Sequence, residues 1–183
     1  MGQNKLLLNI KGKTMIRRVV EEARKAEIDY LIVVLGHDFE MVERELRGIQ
    51  CKTVLNEDYE KGQSFSVICG LKHVPESTDA VLILPGDVAA ITTELINRVV
   101  AGYRRTSKPI VVLSYQKRGG HPILLRKVLF PEILSITEAG RGLKEITNKH
   151  LSETFFVEVD TPAVLWDIDV PADVSRVANL IKS

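Results

Sequence analysis

Ala80-Val81-Leu82-Ile83-Leu84-Pro85-Gly86-Asp87 is the stretch that decides how this chain folds. Five apolar residues in a row, closed by a proline-glycine stop, read as a strand buried on both faces, and such a strand belongs to a sheet covered by helices. The stop leaves Asp87 just past the carboxyl end of the strand, where open α/β sheets place their ligands. A carboxylate there can anchor Mg²⁺, which asks for one or two carboxylates plus phosphate oxygens and water. The alternative is a turn or N-cap residue for the helix that follows.

Apolar runs of the same kind recur on both sides and alternate with segments of helical period. Tyr30-Leu31-Ile32-Val33-Val34-Leu35 is a continuous apolar strand ended by Gly36-His37-Asp38, residues 51–55 form a short one, and Ile110-Val111-Val112-Leu113 another. Ile16, Val19, Val20, Ala23 and Ala26 recur at three- and four-residue spacing after Thr14, a fitting N-cap. Phe39, Val42 and Leu46 mark a second helix, residues 64–72 a third, and Thr92 or Thr93 caps a fourth that runs through Val99 and Tyr103. A polar turn at 116–120 and an extended stretch at 122–125 precede two helices, at 127–135 and 141–149. Residues 155–159 alternate enough for a strand on a more exposed edge, Trp166-Asp167-Ile168-Asp169 is a short strand, and Pro171 opens the last helix. This alternation predicts a mainly parallel sheet with helices on both faces. With no internal repeat or linker, residues 1–183 read as one domain.

Composition narrows the function classes. With 45% hydrophobic and 27% charged residues, the chain has the apolar content a core needs and lies far from disordered compositions. A net charge of +1 with both signs interspersed leaves no polyelectrolyte footprint, which argues against nucleic acid as a partner. Cys51 and Cys69 lie in apolar segments without metal-ligand spacing and read as reduced core residues of a cytosolic protein. No signal peptide opens the chain, and its longest apolar runs, of about six residues, fall short of the roughly 20 needed to span a bilayer. The expected location is the cytoplasm, without membrane contact.

Further residues carry chemistry. Asp167 and Asp169 flank Ile168, so in a strand both carboxylates project from one face, either towards a shared metal with Asp87 or as a plain surface pair. Asp173 fits the first turn of the last helix. Gly119-Gly120-His121-Pro122 reads as a tight turn presenting an imidazole, suited to substrate recognition since nothing nearby completes a hydrolytic triad. Gly140-Arg141-Gly142 offers backbone N–H groups and a guanidinium to an anion, or is a C-cap glycine and an N-terminal turn. Gly62-Gln63-Ser64-Phe65-Ser66 offers donors ahead of a helix, for a base or for capping. Gly2 permits close approach of backbone to a triphosphate and Lys5 sets a point charge beside it, although a lysine near an initiator Met is also an ordinary solvated terminus.

Gly2-Gln3-Asn4-Lys5, Asn56 with Gly62-Gln63-Ser64-Phe65-Ser66 and Gly70-Leu71, Pro85-Gly86-Asp87, Gly120-His121-Pro122 with Phe130-Pro131, and Asp167-Ile168-Asp169-Val170-Pro171-Ala172-Asp173 follow one another in a telling order. Together they resemble the MobA-like nucleotidyltransferases, and most closely the branch that transfers CMP to molybdopterin. The resemblance implies a three-layer αβα, Rossmann-like fold of the nucleotide-diphospho-sugar transferase type. It implies Mg²⁺-dependent transfer of CMP from CTP to the terminal phosphate of molybdopterin, with release of pyrophosphate. Lys5 and Asp87 would be catalytic; Gly2, Lys5, Asn56, Gly62, Ser64, Ser66 and Gly86 would bind nucleotide; Gly120, His121 and Arg141 would bind the acceptor; and Asp87, Asp167 and Asp169 would hold the metal. A molybdoenzyme or its chaperone is the protein partner this implies.

The chain departs from the family pattern in three places. Ala89 stands where the family has proline, the family G-D-x-G-A-R segment is matched only loosely by residues 138–142, and the first strand with the glycine-rich half of the phosphate loop has no counterpart. The expectation is an N-terminally incomplete domain with two strand edges left unpaired. Other readings are a guanylyltransferase, another NTP transferase acting on a phosphorylated small molecule, or a non-catalytic relative. A dehydrogenase is disfavoured, because no G-x-G-x-x-G follows a strand.

Overall fold

The computed structural model describes residues 4–166. A 3-10 turn at Lys5–Leu7 leads into a hairpin of β1 (Asn9–Ile10) and β2 (Lys13–Thr14), then α1 (Met15–Lys25), β3 (Ile32–Leu35), α2 (Phe39–Glu45), β4 (Lys52–Leu55) and α3 (Gln63–Leu71). The second half runs β5 (Ala80–Ile83), α4 (Thr93–Arg105), β6 (Ile110–Tyr115), β7 (Arg118–Arg126), α5 (Phe130–Ile133), α6 (Leu143–Lys149) and β8 (Thr154–Glu158).

β5, β7, β6 and β8 lie side by side in that order, with β6 parallel to β8 and β7 antiparallel to both its neighbours. β5, β6 and β8 therefore run one way, and among the described strands of this sheet β7 alone interrupts the parallel grain. β3 and β4 form a separate parallel pair. Among the described residues, β3 makes a ladder only with β4, and β5 only with β7.

The geometry of β6 explains its unbroken apolar run. Val111 and Leu113 enter a cluster with Val19 and Ala23 of α1 and Ile96 and Val99 of α4, whereas Ile110 and Val112 pack with Leu71, Ile133 and Ile146 of α3, α5 and α6. Successive side chains of a strand point to opposite faces, so a strand covered on both sides must be apolar at every position. Helices thus lie on both faces, in three layers. Ile96, Ile110 and Leu113 are fully buried, and truncating any of them to alanine costs about 2–5 kcal/mol.

α1 buries Met15, Ile16, Val19, Val20 and Ala23 on one stripe, and α4 does the same with Leu95, Ile96, Val99 and Val100. The Thr92 hydroxyl accepts the Leu95 N–H at 3.3 Å and starts α4 as expected. Thr14 sits at the N-cap of α1, but its hydroxyl donates to Glu45 Oε2 at 2.9 Å rather than capping the helix.

Two local expectations change. The turn expected over 116–120 is confined to Gln116 and Lys117, both at positive φ, while Gly119 and Gly120 already belong to β7. Their lack of a side chain serves packing: a Cβ on Gly119 would press on Val112, and one on Gly120 would run into the Val164 carbonyl. The helix expected from 141 starts only at Leu143, because Arg141 and Gly142 adopt φ of 65° and 58°, outside helical space. Gly2, the strand expected at 166–169 with Asp167 and Asp169, and the last helix with Pro171 and Asp173 lie outside the described residues.

Candidate functional site

Three successive residues tie the ends of two strands together. Asn4 Nδ2 donates to the His37 carbonyl at 3.3 Å, just past β3, and Asn4 Oδ1 accepts the Leu6 N–H at 3.1 Å, capping the 3-10 turn. Leu6 lies against Gly86: a Cβ built there would sit 3.3 Å from Leu6 Cδ2 and 3.1 Å from Ile16 Cδ1. Glycine at 86 thus admits the neighbouring side chains, and the residue before Leu6 is carried to the next carboxylate. Lys5 Nζ lies 2.7 Å from Asp87 Oδ2.

Asp87 does not start a helix, since Thr92 caps α4 five positions on. It stands at the head of a buried loop, Val88, Ala89, Ala90 and Ile91 being almost wholly enclosed. Its side chain is 19% exposed, and Oδ1 is buried without a hydrogen-bond partner among the described residues. An orphaned carboxylate oxygen is costly to bury and is a good ligand for a hard cation. Among the described residues no group of three or more His, Cys, Asp and Glu could hold a metal. Asp87 therefore fits Mg²⁺ or Mn²⁺ in the mode that uses one carboxylate and takes the remaining oxygens from phosphate and water. As an ion pair with a lysine 42% exposed, Lys5–Asp87 adds little to stability, so its interest is chemical.

His121 reaches the same edge. Ile123 pairs with Ile83, the last residue of β5, so the residues just before Ile123 lie level with the turn that carries Gly86 and Asp87. At Gly120 beside it, a Cβ would run into the Val164 carbonyl, so packing alone already requires a glycine there.

The second cluster stands at the start of α3. The Asn56 N–H continues the ladder to the Leu35 carbonyl at 2.8 Å, its Nδ2 donates to Ser66 Oγ at 3.1 Å, and its Oδ1 accepts the Asp58 N–H at 3.1 Å. Asn56 is 5% exposed, so it and Ser66 chiefly fasten the loop between β4 and α3. Gly62, at φ 116°, packs against the Glu138 side chain, and Glu138 Oε1 accepts the Ser64 N–H at 2.5 Å. A carboxylate thus faces the positive end of α3. Ser64 is 2% exposed with an Oγ that has no partner, and a Cβ on Gly142 would lie 2.9 Å from it.

The anion nest expected at Gly140-Arg141-Gly142 is not available. Its three N–H groups are used within the turn, donating to Thr137 Oγ1, the Glu138 carbonyl and the Thr137 carbonyl at 3.1, 2.9 and 2.9 Å. Only the Arg141 side chain, which is exposed, faces outward. Sequence reasoning missed two residues here: Asn4, which fixes the 3-10 turn, and Glu138, which closes on α3. The first carried a signal, an Asx residue ahead of an apolar run; the second carried none beyond its neighbouring glycine.

A family model described as MobA-like NTP transferase domain matches residues 1–162. Among curated proteins, the Bifunctional protein GlmU of Cutibacterium acnes is 29% identical over 157 residues, covering 80% of this chain and 37% of its own length. The chain spans 20–37% of the length of the curated relatives it matches. Among solved structures, Rv0371c of Mycobacterium tuberculosis superposes with a TM-score of 0.85 at 23% identity, covering 98% of this chain and 90% of that one. The same protein solved with manganese gives 0.84 at 22% identity, covering 97% and 93%. A nucleotidyl transferase of Methanothermobacter gives 0.82 at 23% identity, covering 96% and 83%. At such identities the likeness speaks to the fold. Among the described residues, no helix is long and apolar enough to cross a membrane.

Proposed function

The chain belongs to the MobA-like NTP transferase domain family, and from that premise we propose that it moves a nucleoside monophosphate from an NTP to a phosphorylated acceptor, releasing pyrophosphate. The observation that carries this reading is the pairing of Lys5 with Asp87 past the end of β5, a cation for phosphate beside a carboxylate for metal. Residues 1–183 act in this reading as one catalytic domain.

Lys5 is fastened at its base and partly exposed at its tip, so its flexible stem lets the ammonium follow the charge that builds on the leaving pyrophosphate. Asp87 is the described ligand for Mg²⁺ or Mn²⁺, and Asp167 or Asp169 is the proposed second one. A divalent ion bound there would polarise the α-phosphate and offset the charge of the leaving group. Support for a divalent ion comes from the orphaned Asp87 Oδ1 and from the manganese complex of a protein with this fold. The protein's own task is to hold the acceptor phosphate in line with the α-phosphorus, since no covalent intermediate is needed. His121 on the acceptor side, Gly2 and Gly86 near the phosphates, and Gly62, Ser64 and Arg141 at the start of α3 complete the proposed site.

For the nucleotide we favour CTP, and for the acceptor molybdopterin, on the resemblance of Gly120-His121-Pro122 to the cytidylyl-transferring branch. A second reading is transfer to another phosphorylated small molecule, since the curated relatives carry the name Bifunctional protein GlmU and not that of a molybdopterin enzyme. The test is pyrophosphate release from CTP, GTP, ATP and UTP, each with Mg²⁺ and with either molybdopterin or a sugar 1-phosphate. Release that depends on an acceptor and disappears in Asp87→Ala supports the reading. Absence of release with every pair of substrates, in a folded protein, contradicts it.

A further inference from the structure

The two groups assigned to nucleotide and metal are bound to each other. Lys5 Nζ is 2.7 Å from Asp87 Oδ2, and the other carboxylate oxygen is buried without a partner. A divalent ion taking the orphaned Oδ1 would share a single carboxylate with that ammonium. Like charges that close repel strongly at a site only 19% exposed. The ammonium must therefore leave before the carboxylate can serve a metal at full strength.

The anchoring of Lys5 allows this. Its backbone is held by the Asn4 cap before it, by the contact of Leu6 with Gly86 after it, and by the Leu8 N–H on its carbonyl at 3.1 Å. Its side chain is 42% exposed on a flexible four-carbon stem. The base is fastened, and the tip reaches solvent. A polyphosphate arriving at this edge offers the ammonium several anionic oxygens that compete with the Asp87 carboxylate.

We propose that Lys5 is a gate on the metal-binding carboxylate: it holds Asp87 as an ion pair in the free protein, and the nucleotide's polyphosphate draws it away, so that cation and nucleotide bind cooperatively. This rests on the nucleotidyltransferase reading above and adds an order to it, in which the free protein binds divalent cations weakly. By linkage, the factor by which nucleotide tightens metal equals the factor by which metal tightens nucleotide.

The test is Mn²⁺ binding to the full chain in phosphate-free buffer, followed by the electron paramagnetic resonance signal of free Mn²⁺. Lys5→Met is expected to tighten Mn²⁺ by roughly 5–150-fold, the usual range of a coupling between two sites. Lys5→Arg, which keeps the cation, should leave the Mn²⁺ affinity close to that of the wild type. Asp87→Asn in the Lys5→Met background should erase the gain, and Lys149→Met, which removes a charge on α6, should change nothing. An unchanged or weaker Mn²⁺ affinity in Lys5→Met overturns the gate. If Asp87→Asn still abolishes NTP turnover in that case, the transferase reading stands without the gate. Tightened Mn²⁺ in Lys5→Met, in a protein that neither binds nor turns over any NTP, removes that reading and leaves the lysine–carboxylate competition in place.

Discussion

Two polar clusters, one at the end of β5 and one between α5 and α6, answer opposite demands. His150, 14% exposed, has both ring nitrogens engaged: Nδ1 with Glu153 Oε2 at 2.7 Å and Nε2 with Glu132 at 3.1 and 3.2 Å. Glu132 is also held by Lys149 Nζ at 2.9 Å, and the His150 carbonyl accepts the Thr154 hydroxyl at 3.0 Å. The cluster satisfies itself and fastens helix to helix and both to β8. Asp87 has one oxygen on the half-exposed Lys5, and among the described residues neither its other oxygen nor the buried Ser64 hydroxyl has a hydrogen-bond partner. Satisfied buried polar groups build structure, whereas orphaned ones sit where a ligand is expected to complete them.

The largest effect should come from Asp87. Asp87→Asn keeps the shape and removes the charge, and turnover is expected to fall roughly 100-fold or more, as when a preorganised electrostatic group is lost from an active site. The melting temperature should barely move, because the pair with Lys5 is half open to solvent. A large stability loss with intact turnover would break the contrast between the clusters.

His150→Ala should do the converse. Deleting the clasp is expected to cost about 1 kcal/mol in urea unfolding, the net worth of a partly solvated hydrogen-bonded pair, with kcat and KM unchanged. The same clasp gives stability a definite pH dependence. Hydrogen bonds to Glu153 and then Glu132 raise the His150 pKa above its ordinary 6.5. Its contribution is therefore complete below about pH 6.5 and fades as pH rises through the raised folded value. Glu132 runs the other way: Lys149 and then His150 hold it below its ordinary 4.5, so its contribution is present above that pH and lost as acid titrates the folded group. Urea midpoints measured from pH 4 to 9 should peak between these limits, and the alkaline decline should vanish in His150→Asn.

The smallest effect expected is that of Ser64→Ala. Removing a buried hydroxyl that has no partner should leave stability unchanged or raise it by up to about 1 kcal/mol. KM for the nucleotide or the acceptor should rise a fewfold. A clear loss of stability would show Ser64 to be a structural group like His150.

Much of the fold was legible because period and burial coincide. β6 is apolar from Ile110 to Leu113 since helices cover both faces, and α1 shows its stripe at Ile16, Val19, Val20 and Ala23. The direction of β7 was not legible, because an antiparallel strand inside a covered sheet is as apolar as a parallel one; only its two-residue turn, Gln116-Lys117, betrays it, and that turn lacks glycine. The hairpin of β1 and β2 escaped for its brevity, although Lys11-Gly12 at φ 50° and 83° makes a turn favoured in hairpins. At the site, Asp87 was readable from its place after a strand. The loop at 137–142 was not, since whether a backbone N–H is available depends on the turn it forms, and here Thr137 and Glu138 take all three.

If Lys5 and Asp87 form a nucleotide and metal site at the end of β5, nucleotide and cation must bind there together. Calorimetric titration with CTP, with and without Mg²⁺, on the wild type and Asp87→Asn, tests it most directly. The expected result is tight binding by the wild type only when Mg²⁺ is present, and in Asp87→Asn a weaker binding that Mg²⁺ no longer improves. Equal Mg²⁺ dependence in the two proteins would contradict it.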